Sequence, residues 1–529
     1  SPRPDVLLVT IDTLRRDAVT PQDMPTLVEL AGRGTAFSRA RSPVPLTLPA
    51  HVSLLSGLQP AGHGIRDNAS PPLPEPGRRD FTLLAEEFQE AGYETVAFVA
   101  SAVLHPRYRL DAGFDRYEHP PAPQPGEPAF RYLRAPEQFV RFLSWRKVRR
   151  RPVSGRRPFF CWVHLFDPHD PYHPYDGDGR RDATAAADPP RLRYRGEARR
   201  ADAALERICR EVDLERTIVV VCSDHGEGLG EHGEKTHGYL CYGSTLDVPL
   251  VLAGPGVEAG KADASRACSL VDVAPTLRRL CDLPDRPGAG RDLLGGSAGP
   301  RVVVSESLYA WRLYGWAQQT AAFDGGASLV DGGRRWELFV GDPQERRPVP
   351  DPEQDPHYER LDRALQHYRS AAGRSGTGAA VAVLTPYGSA RRPVADFLAA
   401  ERNSPLRDVR AAMPELKTLY RMRQLIALGQ PEPLRALLPR LEGLAAGDPP
   451  NPAYRLALAR ARRLLGEYAP ALRAAEAAWE RGYRVPDVLK LIVVVAIQGG
   501  DKPAAERWFL EHRDLLVPED RLRLAALLR

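Results

Sequence analysis

The chain has 529 residues, of which 43% are hydrophobic, and its formal net charge at pH 7 is only +5. A chain of this length exceeds what one hydrophobic core organises, so we expect two or three domains. The small charge excess is spread over arginine-rich segments and gives no indication of nucleic-acid binding. No apolar run is long enough to cross a bilayer, and membrane anchoring is not visible in this chain.

Strand and helix patterns alternate over the first 300 residues. Buried strands are predicted at 5–11, 94–99, 159–165, 217–222 and 250–253, and helices at 26–34, 81–92 and 196–212. This alternation predicts an α/β fold in which a mostly parallel central sheet has helices on both faces.

Two side chains near the beginning of the chain are expected to share one site. Asp12 directly follows the first strand, and the carboxyl ends of parallel strands deliver residues to the ligand-binding edge of such a sheet. Thr47 precedes Pro49 by two residues, and proline suits the first turn of a helix. The Thr47 hydroxyl would then lie beside unpaired backbone amides, where an anion is stabilised. Together they predict a hydroxyl nucleophile and a metal-binding carboxylate.

Further motifs follow in chain order. They are IDTLR (11–15), TLPAH (47–51), LLSG (54–57), HGIRDN (63–68), HLFDPHDPY (164–172) and SDHGEGLGEHG (223–233). In this order they resemble the sulfatase-like branch of the alkaline phosphatase superfamily, over residues 4–345. The resemblance implies an alkaline-phosphatase-like catalytic core over 1–300.

The threonine distinguishes between branches of the family that the chain resembles. Classical sulfatases convert a Cys or Ser at this position to formylglycine, whose hydrate has two hydroxyls, whereas Thr47 has one. A phosphorylated or sulfated Thr47 would have to be attacked by water or by an alcohol. A Gly-Lys-Trp-His stretch that grips sulfate in many sulfatases is replaced by VAFVAS (96–101). The resemblance therefore implies a threonine nucleophile of the phosphodiesterase or phosphonate monoester hydrolase type.

The resemblance also implies a metal site. Asp12, Asp224 and His225, together with the Thr47 oxygen, suit one divalent cation of the Mg, Mn, Zn or Ca type. That cation would lower the pKa of the Thr47 hydroxyl and offset charge that develops on the ester.

Four further side chains receive roles from the resemblance. His169 and His237 are the candidates for contacting the anion and for protonating the leaving group. Asn68 is expected to contact an oxygen of the substrate. His51 is expected either to contact the phosphoryl group or to orient Thr47.

A second metal is an open question. Members of the superfamily with two metals often present Asp-x-x-x-His, but the residue four positions after Asp167 is Pro171. The remaining candidate ligands for a second metal are Asp167 and His237, together with His169 or His173.

The C-terminal part changes character twice. Residues 301–347 show short strand patterns and are predicted to form a small antiparallel subdomain, and 348–405 is predicted to be a linker region rich in Pro, Gly, Arg and Ser. From 406 to 529 the pattern is helical, and GEYAPA (466–471) recurs 34 positions later as GDKPAA (500–505). This period resembles tetratricopeptide repeats; an ordinary helical bundle is the alternative.

The sequence thus predicts a metal-dependent hydrolase that cleaves phosphodiesters or phosphonate monoesters through a covalent Thr47 intermediate. The alternatives are a phosphoryl transferase with the same site, a sulfatase that acts without formylglycine, and a non-enzymatic repeat scaffold. The expected partners are an anionic ester substrate and a protein or large substrate on the repeats. Because the chain begins at Ser1 rather than Met, an extracytoplasmic location with an upstream segment removed is favoured over a cytoplasmic one.

Overall fold

Most of the chain is described by the computed structural model. The described residues are 3–68, 70, 72–121, 132–149, 157–173, 189–264, 266–295, 301–314, 316–333, 336–372, 408–448, 451–481, 486–516 and 518–529. The chain divides into two compact units. The first comprises Ser1–Ser307, Gln319–Asp331 and Trp336–Thr377, and the second comprises Leu308–Gln318, Gly332–Arg335 and Gly378–Arg529.

Eight strands form the central sheet of the first unit. They are β1 (Asp5–Ile11), β2 (Gly34–Phe37), β4 (Glu94–Phe98), β5 (Arg116–Glu118), β6 (Phe159–Leu165), β7 (Thr217–Ser223), β8 (Leu250–Ala253) and β9 (Lys261–Asp263). Their order is β5-β4-β6-β1-β7-β8-β2-β9. Strand β8 runs antiparallel to both of its neighbours, and the other neighbouring pairs are parallel. The short strands β3 (Ala40–Arg41) and β10 (Cys268–Ser269) pair separately. The predicted mostly parallel sheet is confirmed.

Helices cover both faces of this sheet. They are α1 (Pro25–Gly32), α2 (Thr47–Ser56), α3 (Pro60–His63), α4 (Leu84–Glu90), α5 (Ala135–Arg149), α6 (Pro190–Cys209), α7 (Gly243–Leu246) and α8 (Val273–Leu280). Val6 and Leu8 of β1 pack in one core with α2, α4 and α8, whereas Leu7 and Val9 pack in the opposite core with α1, α5 and α6. Burial on both faces explains why β1 reads as a continuous apolar run.

A four-stranded antiparallel sheet follows in the first unit. Its strands are β11 (Val303–Ser307), β12 (Gln319–Phe323), β13 (Ala327–Asp331) and β14 (Trp336–Val340), with α9 (Tyr309–Tyr314) between the first two. Helix α10 (Tyr358–Ala372) packs Leu361 and Leu365 on this sheet, and its Arg369 pairs with Asp331. The linker prediction for 348–405 is therefore wrong over α10. Residues 348–357 are described and contain a single 3-10 turn at Pro352–Gln354, whereas 373–405 lies outside the described residues.

The second unit is helical. Its helices include α9 and α11 (Val409–Ala427), α12 (Pro431–Gly447), α13 (Pro452–Leu464), α14 (Tyr468–Glu480), α15 (Pro486–Gln498), α16 (Lys502–His512) and α17 (Pro518–Leu528). The starts of α13 and α15, and those of α14 and α16, are each 34 residues apart, which matches the sequence period. Their assignment as tetratricopeptide repeats remains a prediction. Among the described helices none has the length and apolar character that crossing a membrane requires.

Candidate active site

Two neighbouring parallel strands place their terminal acidic residues side by side. In the register of β1 and β7, Ile11 is opposite Ser223, so that Asp12 and Asp224 are the next residue on each strand. Both carboxylates and the following His225 are fully buried. This follows from the sequence, because two apolar runs end at the same edge of the sheet with an acidic residue.

The donor atoms of this cluster converge. Nε2 of His225 lies 3.7 Å from Oδ1 of Asp12, 3.5 Å from Oδ2 of Asp224 and 3.3 Å from Oγ1 of Thr47. Two ligands that each lie about 2.1 Å from one ion are about 3 to 3.5 Å apart. The four side chains predicted as metal ligands are thus brought together at separations that suit one cation.

The buried carboxylates lack the hydrogen bonds that would otherwise stabilise them. Among the described residues neither oxygen of Asp12 has a hydrogen-bond partner, and neither does Oδ2 of Asp224. Burial raises the pKa of both carboxyl groups, and the charges of Asp224 and Glu227 raise the pKa of Asp12 further. Burying unpaired negative charge is costly unless a cation compensates it. The donor set therefore fits a divalent metal.

His225 is fixed in the tautomer that a metal ligand needs. Its Nδ1 lies 3.0 Å from the carbonyl oxygen of Gly226, and because a carbonyl only accepts, Nδ1 carries the hydrogen. Burial lowers the pKa of His225 to about 3, which keeps the ring neutral. Its Nε2 lone pair is therefore directed toward Thr47 and the two carboxylates.

Thr47 is the first residue of α2. The backbone amide of Leu48 donates to Oδ1 of Asn68 at 2.9 Å, and Pro49 has no amide hydrogen. The amide of Leu48, which was predicted to be unpaired beside Thr47, is therefore paired with Asn68. Since Oδ1 of Asn68 accepts, its Nδ2 group is the donor available to an oxygen of the substrate.

The contacts of His51 agree with only one of its two predicted roles. Its Nδ1 donates to the carbonyl of Thr47 at 2.8 Å, and its Nε2 accepts from the hydroxyl of Thr10 at 3.0 Å. Trp162 donates to the same Thr10 oxygen at 2.9 Å. With both ring nitrogens hydrogen-bonded, His51 has no nitrogen left to contact a substrate. The arrangement agrees with the alternative role, in which His51 orients Thr47.

The structure brings His169 and His237 to His225. The ring centroids of His225 and His237 are 4.4 Å apart, and those of His237 and His169 are 5.0 Å apart. Nδ1 of His237 donates to Oε1 of Glu227 at 3.1 Å, and Nδ1 of His169 donates to the carbonyl of Asp170 at 2.6 Å. Burial lowers the pKa of His237 to about 4 and that of His169 to about 3. In each ring Nε2 is left for substrate or for a proton.

The set predicted for a second metal is not assembled around Asp167. Its Oδ1 accepts from Nη1 of Arg134 at 3.0 Å, and its Oδ2 accepts from the backbone amide of Ala135 at 2.7 Å. The guanidinium of Arg200 lies 3.6 Å away as well. Asp167 thus accepts a hydrogen bond from the first residue of α5 and forms ion pairs with Arg134 and Arg200. The second metal proposed at Asp167 is therefore not supported by the contacts of that carboxylate.

Sequence reasoning missed three contributors to the site. His164 points Nε2 at Oδ2 of Asp12 over 3.5 Å, Glu227 holds His237, and Thr10 holds His51. The motif positions of His164 and Glu227 are visible in the sequence, but their partners depend on the three-dimensional arrangement. Thr10 has no local signal, since it is one more β-branched residue of β1.

Comparisons with known proteins agree with this architecture. A model of the sulfatase family matches residues 4–283, which is more than half of the chain. The Delta 4,5-hexuronate-2-O-sulfatase of Bacteroides thetaiotaomicron is 26% identical over 308 residues, which cover 48% of this chain and 62% of that protein. Human arylsulfatase K is 39% identical over 71 residues, 13% of each chain. The chain therefore matches less than two thirds of the length of these relatives.

Solved structures share the fold. A 2-O GAG sulfatase superposes with a TM-score of 0.54 at 22% identity, covering 70% of this chain and 92% of that one. The phosphonate monoester hydrolase of Agrobacterium radiobacter superposes with a TM-score of 0.54 at 19% identity, covering 70% and 95%. With the family match over the region that contains the whole cluster, the chain belongs to the sulfatase family.

Proposed function

We propose that this chain is a metal-dependent hydrolase of phosphodiesters or phosphonate monoesters that uses Thr47 as a covalent nucleophile. The observation that carries the proposal is the position of Thr47 Oγ1, which lies 3.3 Å from Nε2 of His225 in a cluster with buried carboxylates. A bound cation would lower the pKa of the Thr47 hydroxyl and offset negative charge on the ester.

The described side chains supply the remaining steps. Thr47 loses its proton to solvent, its Oγ forms a bond to phosphorus, and the bond from phosphorus to the leaving oxygen breaks. Nε2 of His237, supported by Glu227 on the other ring nitrogen, takes up a proton from solvent and gives it to the leaving oxygen. Water then attacks the phosphothreonine and gives a proton to His237, and Oγ takes a proton from solvent as its bond to phosphorus breaks. Nδ2 of Asn68 holds a non-bridging oxygen throughout.

The chemistry of threonine supports phosphorus over sulfur. A formylglycine hydrate releases sulfate by collapsing to an aldehyde, which needs a second hydroxyl on the same carbon. Thr47 has a hydroxyl and a methyl group on that carbon, so its ester is released only by attack at the central atom. Phosphorus accepts such in-line attack readily when charge on the oxygens is offset.

Sulfate ester hydrolysis is the second candidate. It is favoured by the names of the relatives, among them the hexuronate-2-O-sulfatase and arylsulfatase K. In this case water would attack the sulfur of a Thr47 sulfate ester. The same side chains would be used, and only the preference for the central atom would differ.

A substrate panel tests the proposal. The full chain is loaded with Mg²⁺, Mn²⁺, Zn²⁺ or Ca²⁺ and assayed on aryl phosphodiester, aryl phosphonate, aryl phosphomonoester and aryl sulfate. We expect the highest kcat/KM on the diester or the phosphonate. Asp12→Asn, purified in the same way, is the control for contaminating phosphatases. Highest kcat/KM on the sulfate would contradict the phosphorus preference, and transfer to an added alcohol in place of water would identify a transferase.

The helical unit contains none of the proposed catalytic residues. We propose that it docks a protein partner or a large substrate, as stacked helix pairs commonly do.

A further inference from the structure

A groove lies on the helical unit between α12, α13 and α14. Its volume is about 310 Å³, at the lower end of ligand sites. Its floor is formed by small aliphatic side chains, including Ala445, Leu458 and Ala474. Its rim carries Arg455, Arg462 and Arg473. The groove thus combines an apolar floor with three cations.

The acidic groups of the helical unit do not neutralise this rim. Arg462 pairs with Glu442, which is itself a lining residue. In the described part of the unit neither Arg455 nor Arg473 has an ion pair, and Nε of Arg455 is buried without a hydrogen-bond partner. Burial and the nearby charge of Arg481 lower the pKa of Arg455. Two cations, one with a buried donor, therefore face the groove uncompensated.

We propose that this groove binds an acidic peptide segment of another protein. Carboxylates would pair with the forked guanidinium groups of Arg455 and Arg473, which would also satisfy the buried Nε. Small apolar side chains of the same segment would lie on the alanine-rich floor. This assignment does not depend on the chemistry of Thr47.

Other occupants fit the lining less well. A sulfated sugar has ring faces that pack well on aromatic side chains, and the residues that line the groove include no aromatic ring. The chain's own segment 373–407 contains five arginines and two acidic residues, so its charge would be repelled by the rim. An acidic segment with small apolar residues is complementary to both parts of the groove.

The test measures peptide binding to the full chain. The probe is a fluorescein-labelled peptide in which Glu and Asp alternate with Ala and Leu, and binding is followed by fluorescence anisotropy. We expect saturable binding that weakens as salt increases. Arg455→Gln and Arg473→Glu should each raise Kd about tenfold. Arg435→Glu, an exposed charge reversal on α12 outside the groove, should change Kd less than about twofold.

Two further readouts separate binding from folding. Arg455→Gln should leave the Tm unchanged or raise it, because the substitution relieves repulsion with Arg481. A lower Tm together with unchanged peptide affinity would show that Arg455 is structural and overturn the proposal. Equal binding of a peptide with Lys in place of Glu and Asp would also overturn it. So would mutation-sensitive binding of a sulfated oligosaccharide in the absence of peptide binding.

Discussion

Oγ1 of Thr47 lies 3.3 Å from Nε2 of His225, although the two residues are 178 positions apart in the chain. The first begins α2 and the second follows the end of β7. Because Nδ1 of His225 is committed to the Gly226 carbonyl, the lone pair of Nε2 is directed at the nucleophile and the carboxylates. This pair links the proposed nucleophile to the proposed metal site.

Asp12→Asn should remove the metal and leave the fold intact. Both oxygens of Asp12 lack hydrogen-bond partners among the described residues, so the amide replaces the carboxylate without breaking a hydrogen bond. We expect metal content, measured by elemental analysis, to fall from about one ion per chain toward zero. Asp213→Asn, on an exposed loop, is the matched control. Full occupancy in Asp12→Asn would count against the assigned ligands.

His164 should tune the metal site without binding the metal. Its Nδ1 accepts from the amide of Ala100 at 3.2 Å, so the hydrogen is on Nε2, which faces Asp12. His164→Leu should weaken metal affinity about 10- to 100-fold, as loss of an outer partner of a ligand does. His164→Gln, which keeps a donor, should lose less. Competition with a chromogenic chelator measures both. Equal affinities for the two variants would show that His164 only fills space.

The free energy of unfolding should decrease as the pH is lowered, partly because of His63. Burial and the charge of Arg66 lower the pKa of His63 from 6.5 to about 3. Between these values the unfolded chain binds a proton that the folded chain does not, so stability is retained above pH 6.5 and lost as pH falls toward 3. The slope is about 1.4 kcal/mol per pH unit for one such group.

Urea unfolding at several pH values measures this contribution. His63→Gln should flatten the decline between about pH 6 and pH 4. The exposed His367→Gln is the control for removing one imidazole. An unchanged slope in His63→Gln would show that other groups account for the acid sensitivity.

Removing the helices after residue 400 should expose two tryptophans that remain in the shortened chain. Trp311 and Trp316 are fully buried and belong to the helical unit, where Nε1 of Trp316 donates to the hydroxyl of Tyr454 at 2.8 Å. A chain that ends near residue 400 should therefore aggregate, as seen by size-exclusion chromatography. The same truncation with Trp311→Ser and Trp316→Ser should stay soluble and turn over small aryl esters. If it is folded but inactive, the helical unit completes or orders the active site.

The sequence predicted the elements whose patterns are local. The boundaries of β1 and β6 coincide with the predicted strands 5–11 and 159–165, because each is dominated by apolar and β-branched residues. The proposed ligands Asp12 and Asp224 could be predicted for the same reason, since they directly follow β1 and β7.

Other features depend on contacts between distant segments. Helix α10 was missed because its core residues, Leu361 and Leu365, are few among charged neighbours. The hydrogen bond between His51 and Thr10 forms only because the end of β1 lies beside α2, and no local sequence pattern specifies that arrangement. The boundary placed near residue 405 also could not reveal that Leu308–Gln318 belongs to the helical unit.

The central claim is that Thr47 becomes covalently modified during turnover. The direct measurement is rapid quench of the metal-loaded chain with an aryl phosphodiester, followed by mass spectrometry of the peptide that contains Thr47. We predict a phosphorylated Thr47, and a loss of about four orders of magnitude or more in kcat/KM for Thr47→Ala, with much activity retained in Thr47→Ser. An unmodified peptide at every quench time, together with an active Thr47→Ala, would contradict the claim.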